Sequence, residues 1–130
     1  MSGDEIQLML PADEAFHRVA HLVMGGLAVR LNLTFESLED LELALDALLE
    51  RAKTDDGVTL RVRVLDGELK TLVGPFAAVR AELEQGSAAS LNLSRILGAV
   101  CDSVEISDRD GSEWVELTKR VETMTKGTAA

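Results

Sequence analysis

Tyrosine is absent from this 130-residue chain, cysteine occurs once, proline and histidine twice each, and aromatic residues make up only 3%. With Cys101 alone no internal disulfide can form, which excludes a disulfide-stapled scaffold. His17 and His21 stand four apart on what reads as a helix, a spacing that puts two imidazoles on one face. No glutamate lies between them and no further histidine exists to complete a zinc site, so they read as two helix-flank histidines. Positive charge is also short. Thirteen basic residues face 23 acidic ones, for a net charge of −10, and such a chain repels a phosphate backbone, so nucleic-acid binding is excluded. Long apolar runs are missing too: charge interrupts each of them within a few residues, so no membrane span is expected, and no basic segment followed by an apolar one opens the chain. No glycine-rich phosphate loop of the Walker type occurs. The expectation is a single cytoplasmic domain over residues 1–120 with a frayed tail over 121–130.

The hydrophobic content of 46% is enough for a proper core, since a chain of this length buries roughly two thirds of its unfolded surface. Glu5 to Leu10 reads as a short strand ended by Pro11. Asp13 then caps a helix carrying Phe16, Val19, Ala20, Val23, Leu27 and Leu31 at three- and four-residue spacing. Gly25-Gly26 inside it costs about 1 kcal/mol per glycine relative to alanine, and close packing against a neighbouring element is the expected reason. Thr34 caps a second helix with the stripe Leu38, Leu41, Leu45, Leu48 and Ala52, which Asp55-Asp56-Gly57 breaks. Val58, Leu60, Val62 and Val64 alternate with Thr59, Arg61 and Arg63 as a half-buried strand, and Asp66-Gly67 turns it into a partner over Glu68–Val73. The pattern weakens from Gly74 to Ser90, where Pro75 is expected to begin a short helix bearing Phe76, Val79 and Leu83. Leu93, Ile96, Leu97 and Val100 mark another helix, and Val104–Ser107 and Glu113–Thr118 form a second hairpin around Arg109-Asp110-Gly111. This order predicts an α/β (α+β) two-layer sandwich: a mixed, mostly antiparallel sheet of about five strands with helices on one face.

The second helix carries Glu36, Glu39, Asp40 and Glu42 on its outward faces with no cation until Arg51. Two readings stay open, a solvated face and a docking surface for a basic partner. Cys101 reads as a packed thiol, and Trp114, in the last strand, as a core residue with an interface role as the alternative.

The segment Leu38-Glu39-Asp40-Leu41-Glu42-Leu43-Ala44-Leu45-Asp46-Ala47-Leu48-Leu49-Glu50-Arg51-Ala52 resembles the helix of the anti-sigma-factor kinases, members of the histidine-kinase-like ATPase superfamily with the Bergerat nucleotide fold, whose pattern there is roughly DLxLAxDELxTNA. The likeness extends from Glu5 to Arg120, through the strand end Leu8–Pro11, the helix with Arg18 and Arg30, and the closing Val100–Ile106 and Trp114–Lys119. It implies the histidine-kinase-like ATPase fold, partner switching in bacterial transcription regulation, a sigma factor or anti-sigma antagonist as protein partner, and dimerisation as a possibility.

The family's chemistry does not carry over onto these residues. Active members bear a Glu that orients the attacking group and, four residues later, an Asn that holds the magnesium; the matching positions here are Ala47 and Arg51. Alanine offers no carboxylate, and a guanidinium is donor-only and cannot ligate a cation. The family's adenine-binding Asp with its glycines is met by Leu72-Val73-Gly74-Pro75-Phe76, whose nearest upstream carboxylates, Glu68 and Asp66, are out of register. The GxGL phosphate turn is met by Ser90-Leu91-Asn92-Leu93, with both glycines replaced. The expected pocket of Ala47, Arg51, Gly74, Ser90, Asn92 and Leu93 is therefore degenerate, with no catalytic residue, no metal and no cofactor. The expected function is a regulatory binding domain without ATP hydrolysis. The alternatives are an ATP- and magnesium-dependent serine/threonine kinase of the same type, and a dimerising scaffold.

Overall fold

The computed structural model describes residues 5–11, 13–52, 57–85 and 93–120. Ser90, Asn92, the break at Asp55-Asp56 and the tail 121–130 lie outside them. The elements run β1 (Glu5–Leu10), α1 (His17–Leu31), α2 (Phe35–Leu49), β2 (Val58–Leu65), β3 (Glu68–Phe76), α3 (Val79–Gln85), α4 (Leu93–Val100), β4 (Ser103–Arg109) and β5 (Ser112–Arg120). The five strands form one sheet in the order β1-β2-β3-β5-β4, and every pairing is antiparallel.

Local chemistry fixes most boundaries. The Asp13 carboxylate accepts from the Ala15 amide at 3.0 Å and opens a 3-10 turn, Glu14–Phe16, that leads into α1. Asn32 ends α1 in the left-handed region at φ 61°, and the Thr34 hydroxyl caps α2 by accepting from the Ser37 amide at 3.1 Å. Both hairpins turn on an Asp-Gly pair with positive φ at each residue, 53° and 78° for Asp66-Gly67 and 53° and 80° for Asp110-Gly111. That geometry matches the twist of the flanking strands and favours glycine at the second position.

Register separates two sheet faces. Leu60, Val62 and Val64 of β2 stand opposite Val73, Thr71 and Leu69 of β3, and Thr71 and Val73 in turn oppose Leu117 and Val115 of β5. The apolar side chains among them pack with Leu41, Leu45 and Leu48 of α2, Met24 and Leu27 of α1 and Leu93 and Leu97 of α4 into one apolar cluster from Leu10 to Leu117. The alternate residues, Arg61, Arg63, Lys70, Leu72, Trp114 and Glu116 among them, share the opposite face. Among the described residues no helix is long and apolar enough to cross a membrane.

Two expectations need correction. β3 continues through Pro75 to Phe76, and α3 begins only at Val79. The register against β5 shifts between Val73 and Phe76, so Pro75, which follows a cis peptide bond, occupies an irregular step where a missing amide costs no ladder bond. Phe76 is 2% exposed and belongs to the core. Gly25 and Gly26 are not close-packing positions among the described residues: a Cβ built on either meets nothing within 4 Å there.

Candidate functional site

Ala47 and Arg51 lie one helical turn apart at the C-terminal end of α2. Ala47 is buried in the apolar cluster, facing inward with Ala44 and Leu48. The helix stops at Leu49, which leaves the Ala47 carbonyl without an intrahelical donor, and Arg51 Nη1 donates to it at 2.7 Å. The same guanidinium places Nε 2.9 Å and Nη2 2.7 Å from Glu82 Oε2 on α3. A cation at the negative end of a helix is favoured by the peptide dipoles, and a partly exposed pair of this kind contributes about 1 kcal/mol. The position therefore holds a neutralised Arg–Glu pair that ties the end of α2 to α3.

The remaining pocket residues are placed separately. Gly74 lies under Trp114: a Cβ at position 74 would come within 2.5 Å of the indole Cδ2. Its missing side chain thus makes room for a ring within the chain. Leu93, fully buried, is the first residue of α4 and packs in the same cluster as Ala47.

Glu82 and Glu113 were not legible as site residues. Glu113 Oε1 accepts from both the Val79 and Arg80 amides at 2.7 Å and so caps α3 from β5, while Arg80 Nη2 reaches Asp108 Oδ2 of β4 at 2.8 Å. Neither capping contact has a local sequence signal, because the partners are 33 and 34 residues apart.

Of the four α2 acidic residues expected to form the docking surface, Asp40 Oδ2 is 3.3 Å from Lys119 Nζ and Glu42 Oε2 is 3.9 Å from His21 Nδ1. Glu36 and Glu39 are exposed and have no ion pair among the described residues. Phe35 and Leu43, 72% and 52% exposed, flank Glu39 at four-residue spacing, and α1 exposes Leu22 and Val29 at 70% and 82%. The spacing 35, 39, 43 opposite the Leu41–Leu45–Leu48 stripe was the available signal for that outward apolar-acidic edge.

His21 is committed to Asp46, Nε2 to Oδ1 at 2.6 Å, which joins α1 to α2. His17 and His21 line a cleft of about 580 Å³ with Ala15, Arg18, Asp46 and Glu50. Burial pushes the Cys101 thiol up to about 11, with nearby Lys119 pulling the other way, so it stays protonated and inert near neutrality. That agrees with a packed thiol.

The architecture is a two-layer α+β sandwich, a five-stranded antiparallel sheet with helices packed on one face. Among solved structures, it is similar to the RsbU and RsbW domains of Rv1364c from Mycobacterium tuberculosis, with a TM-score of 0.70 and 15% identity, covering 94% of this chain and 35% of that one. The chain thus spans well under half of that protein's length. No family model and no curated protein matches the sequence. At this identity the likeness establishes the fold, and activity has to be argued from the site.

Proposed function

We propose that this domain is an anti-sigma-factor-like regulatory module that acts through protein contacts and does not hydrolyse ATP. The observation that carries the reading is the Arg51–Glu82 pair. Where the resembling family requires a magnesium-holding amide, this chain has a cation that donates to the Ala47 carbonyl and the Glu82 carboxylate. Phosphoryl transfer depends on a metal and positioned groups to stabilise spreading negative charge, and neither Ala47 nor Arg51 supplies a metal ligand.

Likeness to a chain that joins RsbU and RsbW domains supports a place in partner switching, with a sigma factor or an anti-sigma antagonist as the partner. The edge formed by Phe35, Glu36, Glu39 and Leu43 supplies both apolar area and unpaired negative charge for such a contact. Homodimerisation through exposed apolar positions of α1 is compatible with the same mechanism.

Titration calorimetry with ATP and magnesium, beside a phosphotransfer assay on the candidate antagonist, tests the central claim. The expected result is no metal-dependent binding and no transfer. A micromolar affinity that requires magnesium would overturn it. For the contact surface, the Glu36→Lys/Glu39→Lys variant is expected to slow association with a captured partner and to flatten its salt dependence, as screening of exposed charges requires. Unchanged association at two ionic strengths would remove α2 from the interface.

A further inference from the structure

On the sheet face that no helix among the described residues covers, Arg61 and Arg63 of β2 and Arg109 of β4 line a recess of about 230 Å³ with Glu5, Leu72 and Glu116. Three guanidinium groups against two carboxylates leave this recess positive in a chain whose net charge is −10. Bringing like charges together is unfavourable unless something offsets it, and the internal carboxylates do so only in part. Arg63 Nη2 is 3.7 Å from Glu116 Oε2, too long for a hydrogen bond. Arg61 Nη2 donates to Gln7 Oε1 at 3.2 Å, but its buried Nε, 3.2 Å from Glu5 Oε2, makes no hydrogen bond. Arg109 has no hydrogen bond or ion pair among the described residues. Leu72 is 6% exposed and gives the recess an apolar wall, which strengthens charge–charge attraction beside it.

We propose that this recess is a binding site for a dianionic tetrahedral oxyanion, either free phosphate or the phosphoryl group of a small phosphomonoester. Guanidinium forks match phosphoryl oxygens bidentately, and the donors of Arg63 and Arg109 provide directed hydrogen bonds that Glu116 leaves unmade. The site is separate from α2 and from the residues that match the nucleotide motifs.

Trp114 is the chain's one tryptophan, there is no tyrosine, and its ring lies on the same open face as Glu116 and Leu72. Its fluorescence therefore reports on this face alone. The experiment titrates the full chain with inorganic phosphate and, separately, with O-phosphoserine, at constant ionic strength balanced by chloride. A saturable change in Trp114 emission is expected with at least one of the two; tighter binding of O-phosphoserine assigns an esterified ligand, and equal or weaker binding assigns the free ion. Arg109→Gln breaks no contact among the described residues and should weaken binding by about tenfold, the worth of a charge-assisted hydrogen bond. Glu116→Gln removes the competing carboxylate and should tighten it by about threefold. A response no different from the chloride control with both probes, or affinities unchanged in Arg109→Gln and Glu116→Gln, would overturn the proposal.

Discussion

The two faces of one sheet are built from alternate residues of the same strands, yet they obey different rules. On the covered face Leu60, Val62, Leu69, Val73, Val115 and Leu117 are each 3% exposed or less and hold the helices by apolar contact. On the open face Arg61 meets Glu5, Arg63 meets Glu116 and Lys70 meets Glu68, all as partly exposed pairs between 3.2 and 3.7 Å. Buried apolar area is worth about 25 cal/mol per Å², whereas exposed ion pairs contribute between nothing and about 1 kcal/mol. The covered face therefore carries the stability and leaves the open face free to carry charge for recognition.

The sharpest way to break this contrast is on the covered side. Leu48→Ala, at a fully buried position, is expected to cost about 2–5 kcal/mol in urea unfolding through lost transfer energy and a residual cavity. Next comes Gly74→Ala on the open face, which drives a methyl into the Trp114 ring and should cost about 1–3 kcal/mol as overpacking. A Trp114→Ala background should erase that cost in a double-mutant cycle; a cost that persists without the indole would mean the clash has another source. Thr71→Val works in the opposite direction. The Thr71 hydroxyl is completely buried with no hydrogen-bond partner among the described residues, so its removal at nearly constant shape should stabilise the fold by about 1 kcal/mol. Arg63→Gln should stay within about 0.5 kcal/mol of the parent, and a loss of 2 kcal/mol would show that the open face is structural after all.

The smallest effect is expected at Cys101, which packs against the covered cluster. With its thiol held at about 11, on the order of one molecule in a thousand is thiolate at pH 8, so labelling by iodoacetamide should be very slow in the folded protein. Labelling should accelerate as pH rises toward that value and become fast at pH 8 in denaturant. Rapid labelling of the native chain would contradict the burial.

Features set by near neighbours in the chain were legible beforehand. The Asp66-Gly67 and Asp110-Gly111 turns need positive φ, Thr34 lies three residues before the amide it caps, and the strand alternation assigns both faces of β2 directly. α3 was not. Its start is fixed by Glu113 and its flanks by Glu82–Arg51 and Arg80–Asp108, all contacts across long sequence separation, so its weak periodicity pointed to Pro75 instead of Val79. Gly25-Gly26 misled in another way: glycine in a helix signals close approach only if something approaches, and among the described residues nothing does.

The pairing of Gly74 with Trp114 also has a historical side. Because a side chain at 74 and an indole at 114 cannot occupy the same space, a lineage carrying this tryptophan can accept a larger residue at 74 only after 114 has become smaller, whereas the reverse order passes through a destabilised intermediate. The two positions should therefore change in a fixed sequence over descent, and any relative with a bulky residue at 74 should carry a small one at 114.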